Sequence, residues 1–438
     1  MGARTDPDSP SQNLFGHPYR LFCGIIIVTM LAVLAASWAR ALVLLATTSE
    51  FRLRYPISIG YYSPWPLPEF GNATGLDFSQ VYRGANARWA GESSYFPRSP
   101  EFRDRGGSGD RRSPYPPYAH WLYMPVSILP YKAALLLHNT FQVAILFLVT
   151  FLVLRKRKLL SFYPVTLGCY VCLLFLTPIG LSHFERGQFD LYLASAYLLC
   201  FSSALSGSRA SAVTAGLLGG IKVTSVPLLL ILSLFGAALK QRLGQLTALV
   251  LTLGLTIVVF VTEMPEYLAV LRSWEVVAPA GVTFLRFLPW TVARAIPVAS
   301  LVIVGVFGFI RSRNVQHKNG VNVWVAMLMP FALAMGIESL GIFKVSYEYR
   351  SVSLFGFIPC LLLWCESNPH MPSRLKYWVT VSFAGFLLLA LRVPPAFHLS
   401  AKAMSMTYLT VSLVFLVLTL VTGMSRGRPR KELEPRAS

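Results

Sequence analysis

The chain has 438 residues, 54% of them apolar and only 13% charged, a balance that points to the bilayer rather than water as the solvent. The formal charge of +20 falls largely in short clusters between apolar runs, at 155–158, Lys240 with Arg242, 311–318, Arg374 with Lys376, and 426–431, the mark of cytoplasmic loops. This dispersal excludes a nucleic-acid partner, whose binding face needs basic groups gathered on one surface.

A membrane-crossing helix needs about 20 apolar residues. Such runs lie near 20–46, 131–154, 160–178, 190–206, 243–262, 292–310, 321–341, 350–365, 377–393 and 402–424, and they predict an all-α polytopic integral membrane protein with about ten transmembrane helices. The first run is too long for a signal-peptide core and lacks a clear small-residue cleavage site, so a retained span is expected. Residues 210–239 are apolar but interrupted by Gly219, Gly220, Lys222 and Pro227. They read as a broken, re-entrant helix pair, since such backbone at membrane depth needs protein or a cavity around it.

With the amino terminus inside, every basic cluster falls on the cytoplasmic side, and 47–130, 179–189, 263–291 and the connection at 344–350 lie outside. The chain then divides into a cytoplasmic segment 1–19, a single transmembrane domain 20–424 with the long outer loop 47–130, and a basic cytoplasmic tail 425–438. The expected location is the cell (inner or plasma) membrane, multi-pass, with the bilayer as a partner.

Within the long outer loop, Asp77 can cap a helix whose apolar positions Phe78, Val81, Tyr82, Ala85 and Trp89 recur at helical spacing, with Gln80, Arg83 and Arg88 opposite and Gly91 as the stop. Such a helix suits the interface plane. Residues 103–113 are polar and glycine-rich and read as a mobile insertion. Residues 115–130 carry prolines too closely spaced for a span, with Tyr and Trp residues that suit the headgroup region.

Cys23, Cys169, Cys172, Cys200, Cys360 and Cys365 all lie in or beside apolar segments, which implies packing rather than a disulfide framework. Cys169 and Cys172 have C-x-x-C spacing without a second ligand pair nearby. His120, His138 and His398 have no partner at metal-ligand spacing. No metal set or cofactor is indicated, although a divalent cation is compatible with the pattern. Phosphate-loop, dinucleotide and H-E-x-x-H motifs are absent from the sequence.

Polar groups at or near membrane depth are costly and call for a reason. On the outer face these are Asp77, the run His183–Asp190, Lys222 within the broken segment, and the run Lys344–Arg350; Glu338 lies deeper. Arg186 and Arg350 sit where long side chains can snorkel to water. Lys222, between apolar half-helices, has no such route and suits a phosphate.

The order D-F-x-x-V-Y-x-x-A-x-x-x-x-A-G-x-x-x-Y (Asp77–Tyr95), Y-P-P with M-P-V-S-I-L-P (Tyr115–Pro130), R-G-Q-F-D (Arg186–Asp190) and G-G-I-K-V-T-S-V-P (Gly219–Pro227) resembles the GT-C glycosyltransferases of family 87, which include polyprenyl-phosphate-mannose-dependent mannosyltransferases and arabinofuranosyltransferases. The resemblance implies a GT-C-like fold, a polyprenyl-phosphate sugar donor, an extracytoplasmic glycolipid or glycan acceptor, inversion, and an acid in the first outer loop. Asp77 matches the family's first-loop aspartate, Gln188 its Gly-Gln motif and Lys222 the lysine after its broken helix. The chain departs from the family at Asp190, where Asn is common, at Tyr347, Glu348 and Tyr349, where many members carry a His-Tyr pair, and in the insertion at 103–113.

Sugar transfer from a lipid phosphate needs a base for the acceptor hydroxyl, cations for the departing phosphate and a cavity that aligns both substrates. Asp77 is the candidate base. Lys222, Arg186 and Arg350 are candidates for the phosphate, and Gln188, Asp190, Tyr82, Tyr115, Tyr118, Tyr347 and Glu348 for the sugar or acceptor. A lipid-linked sugar transporter or flippase is the competing class; it predicts repeat symmetry between halves, and none is visible.

Overall fold

The computed structural model describes residues 76–274 apart from 103, 107–108, 157–159, 176–179, 181–182, 185 and 234–238, together with 280–281, 345–346, 348–359 and the helical positions Val28, Ala32 and Ala35. The expected spans at 292–310, 321–341, 377–393 and 402–424 lie outside the described residues, as do the two terminal segments.

The first outer-loop helix, α1, runs Leu76–Trp89. Phe78, Val81 and Ala85 are fully buried, as their spacing predicts. Gly91, at φ 73°, ends it: its amide and that of Glu92 return to the carbonyls of Arg88 and Ala87 at 3.0 and 2.8 Å. Two positions differ from the pattern. Gln80, expected on the polar face, is buried, whereas Trp89 is 56% exposed and its indole Nε1 donates to the Met124 carbonyl at 2.9 Å. The helix is covered by protein on more than one side, so the polar face expected of an interfacial helix is partly internal.

The segment read as a mobile insertion forms a small antiparallel ladder, β1 (Asp104–Gly106) with β2 (Gly109–Arg111). Its register pairs Gly106 with Gly109 and leaves room only for a short connection, which glycine-rich sequence favours. Helix α2, Pro117–Ser127, starts with Pro at its first turn, where the missing amide costs nothing. Eleven residues reach only about 16 Å, so this stretch does not cross a bilayer. It packs across α1, with Phe78 against Tyr123 edge-on at 5.8 Å.

Helix α3, Tyr131–Lys156, is long and apolar enough to cross a membrane, and it alone meets that test among the described residues. Helix α4 is Tyr163–Phe175 and α5 is Asp190–Ser206. Gly207, left-handed at φ 72°, closes α5; Ser208 then caps α6, Arg209–Gly219, by accepting from the Ser211 amide at 3.3 Å. The expected break follows. Residues Val223–Ser225 form a single 3-10 turn before α7, Val226–Ser233. Helix α8, Leu239–Val258, packs beside α6, and α9, Met264–Trp274, lies in the predicted outer loop 263–291.

Late in the chain, β4 (Val345–Ser346) pairs in parallel with β3 (Ala280–Gly281), and Glu348–Phe357 is a 3-10 stretch where the apolar run predicts the start of a span. It lies tightly on α5: a Cβ at Gly356 would stand 2.1 Å from the Ala194 carbonyl oxygen. Leu146, Tyr170, Leu191, Ala194 and Phe355 form one core between α3, α4, α5 and this stretch. A second, aromatic core of Phe78, Tyr115, Tyr123, Phe189 and Tyr192 lies where α1 and α2 meet α3 and α5. The short ladders build no sheet layer, and the other regular elements among the described residues are helices.

Candidate active site

Gly187, left-handed at φ 62°, turns the chain so that its amide and that of Gln188 bond back to the Phe184 and His183 carbonyls at 3.1 and 3.0 Å. Gln188 is thereby presented just before α5, and Asp190 becomes the first residue of that helix. A carboxylate there is favoured by the helix dipole. Lys222 arrives from the break after α6. Close packing explains the paired glycines before it: a Cβ at Gly219 would stand 2.2 Å from Leu229 Cδ1, and one at Gly220 2.9 Å from the Thr256 side chain.

These segments meet α1 in one polar cluster. Arg186 Nε donates to Asp77 Oδ2 at 2.8 Å, and the Gln188 side-chain amide Nε2 donates to the same oxygen. Lys222 Nζ donates to both Asp190 oxygens at 2.9 and 3.0 Å and to Gln188 Oε1 at 3.3 Å. Tyr115 adds its hydroxyl to Gln188 Oε1 at 3.5 Å. The orientation of the Gln188 amide follows from charge: its NH2 faces the carboxylate of Asp77 and its oxygen faces the ammonium of Lys222. Cations and carboxylates therefore alternate as Arg186, Asp77, Lys222, Asp190, with one neutral amide as the bridge.

Burial differs along this row. The Asp190 and Lys222 side chains are 2% and 10% exposed, and those of Asp77 and Arg186 14% and 21%, so the Asp77 end is the one nearer solvent. Asp77 is the second residue of α1 rather than its cap, and Arg186 and Gln188 engage its carboxylate.

The other sequence candidates are more scattered. The Tyr82 hydroxyl donates to the Leu129 carbonyl at 2.8 Å, and Tyr118 stands 6.3 Å from the Phe260 ring; both pack against the aromatic core rather than taking a place among the hydrogen bonds of the Asp77 cluster. Glu348 and Arg350 belong to the 3-10 stretch, but their side chains, like Tyr347, Glu185, Glu338 and Lys344, lie outside the described residues. Among the described residues, no three or more His, Cys, Asp or Glu side chains are placed to hold a metal ion.

Sequence reasoning passed over His138 and Gln142 because it weighed the histidines only as metal ligands. Both are buried, and both reach the Gln188 backbone carbonyl, at 3.2 and 2.9 Å. The signal was present as H-N-x-x-Q in an otherwise apolar span, with polar groups four apart on one helix face. His183 Nε2 meets Gln142 Oε1 at 3.3 Å; burial first, and the charge of Lys222 second, push its imidazole down to about 3.

A family model for glycosyltransferase family 87 matches residues 114–335, half of the chain. The match includes Tyr115, Arg186, Gln188, Asp190 and Lys222, and begins after Asp77. No curated protein and no solved structure matches the chain.

Proposed function

Because the chain belongs to glycosyltransferase family 87, its chemistry is glycosyl transfer, and we propose that it moves a sugar, as a hexosyl- or pentosyltransferase, from a polyprenyl-phosphate donor to an extracytoplasmic glycolipid or glycan acceptor. Asp77 is the general base in this reading. Its Oδ2 takes both protein donors, so the acceptor hydroxyl proton goes to Oδ1. The acceptor oxygen attacks the anomeric carbon from the face opposite the phosphate, the bond from that carbon to the phosphate oxygen breaks, and configuration inverts. A positioned base contributes about 100- to 10,000-fold to such a step.

The departing polyprenyl phosphate keeps the electron pair and needs cations. Arg186, Lys222 and Arg350 fill that role in this proposal, with an arginine able to bond two phosphate oxygens. Arg186 and Lys222 are each paired with a carboxylate, so a donor phosphate competes with Asp77 for Arg186 as it binds. Gln188, Asp190 and Tyr115 then border the sugar. No cofactor takes part.

One observation carries the reading: Gln188 joins the first-loop acid and the lysine of the broken segment through a single side chain. The test is a transfer assay with purified protein and a panel of polyprenyl-phosphate sugars, starting with mannose. Polyprenyl phosphate release matched by an inverted glycosidic product is expected. Turnover with nucleotide sugars alone would contradict the donor assignment.

A further inference from the structure

His138 has no place in the transfer chemistry described above, yet its ring touches the neighbours of two site residues at once. It stacks on Phe78, next to Asp77, at 4.8 Å and 21°, and lies against Phe189, next to Gln188, at 4.6 Å. Its Nε2 is 3.2 Å from the Gln188 carbonyl oxygen and its Nδ1 is 2.5 Å from the Tyr123 hydroxyl.

The hydrogen-bond partners select one tautomer. The Gln188 carbonyl can only accept, so facing it requires a proton on Nε2. Nδ1 then accepts from the Tyr123 hydroxyl, whose oxygen is free to accept from Tyr192 at 2.9 Å. Gln142 fits the same pattern: its amide hydrogens go to the Gln188 carbonyl at 2.9 Å and to Asn139 Oδ1 at 3.4 Å, and its Oε1 accepts from His183 Nε2. The 3.1 Å approach of Gln142 Nε2 to His138 Nε2 is then two donors side by side on one carbonyl. Both lone pairs of that carbonyl are filled by side chains of α3, a rigid element.

We propose that His138, with Gln142 beside it, is a positioning residue for the transfer reaction: it sets Gln188 against Asp77 by holding the Gln188 carbonyl while its ring spaces Phe78 from Phe189. The inference rests on the reading of Asp77 and Gln188 given above. A misplacement of about 1 Å at a reacting group can cost about 100-fold in rate.

The test compares His138→Phe, which keeps a ring but loses the donor, with His138→Gln, whose amide nitrogen can stand where Nε2 does. With polyprenyl-phosphate mannose as donor, His138→Phe is expected to lower kcat by about 10- to 100-fold with donor KM within about twofold, and His138→Gln to recover most of the loss. In a cycle with Gln188→Ala, which keeps the carbonyl but removes the side chain that His138 positions, His138→Phe is expected to cost little more. Gln142→Met, which removes the other donor to that carbonyl, enters the same cycle if His138→Phe does not fold. Wild-type kcat in the variant, a change in KM alone, or full additivity with Gln188→Ala overturns the proposal. An Asp77→Asn control that stays fully active overturns the base assignment instead, and the cycle still reports on the coupling between His138 and Gln188.

Discussion

Replacing Lys222 by Met separates the electrostatic role of this lysine from its chemical one. The variant keeps the apolar stem but removes the ammonium that donates to Asp190 at 2.9 and 3.0 Å and to Gln188 Oε1 at 3.3 Å. Asp190, only 2% exposed, is left as a buried carboxylate without its counter-ion. Removing one partner of a buried pair costs about 3–5 kcal/mol, and the α5 amino terminus returns about 0.3–1 kcal/mol of that to an anion on its first turn. A net loss of about 2–5 kcal/mol follows. Adding Asp190→Asn removes the stranded charge, so the double variant is expected to regain at least half of the lost stability while remaining inactive. Unfolding of the detergent-solubilised protein, followed by intrinsic fluorescence beside a transfer assay on the same samples, reads both effects. A Lys222→Met protein as stable as wild type, or a double variant no more stable than the single, would refute the pairing argument.

Gly84→Ala should destabilise by about 1–3 kcal/mol, because the new Cβ would stand 2.2 Å from His120 Nδ1; Gly254→Ala, with nothing within 4 Å of its added Cβ, should instead gain about 0.5–1 kcal/mol. The same unfolding assay compares them. Stability should also fall with acid. Burial, aided by Arg88 and Lys222 respectively, holds His120 and His183 at about 3 against an ordinary 6.5, so the unfolded chain binds their protons first as pH drops between those values. Each contributes a loss of up to about 1.4 kcal/mol per pH unit, and His183→Gln should flatten the slope by one share; an unchanged slope would contradict the buried neutral imidazole. The proposed outward orientation of the site predicts that a cysteine replacing Asn72 reacts in intact cells with an impermeant thiol reagent, and labelling only after lysis would reverse the topology.

Much of this site is legible in the sequence because polar side chains in apolar surroundings need a reason to be there. Asp77, Gln188, Asp190 and Lys222 stand out on that ground and converge in the structure. Their pairing does not, since Lys222 meets Asp190 across 32 residues and Arg186 meets Asp77 across 109, and hydrophobic period carries no information on which helices face each other. The broken segment at 210–239 is legible from Gly219, Gly220 and Pro227, whereas the ladder at 104–111 is hidden by a polar composition that suits a hairpin as well as an irregular loop. A one-sided amphipathic pattern puts Gln80 on the polar face, but α1 is covered by protein on more than one face and Gln80 is buried. His138 and Gln142 escape a reading of histidines as metal ligands because they hold backbone carbonyls instead.

The most direct measurement is turnover of Asp77→Asn with polyprenyl-phosphate mannose. The substitution keeps size and can still accept from Arg186, but it removes the basic carboxylate, so kcat should fall by about 100-fold or more. The donor should bind as well as or better than in wild type, its phosphate competing with a neutral amide for Arg186, and the unfolding midpoint should change little. Turnover at the wild-type rate would contradict Asp77 as the base.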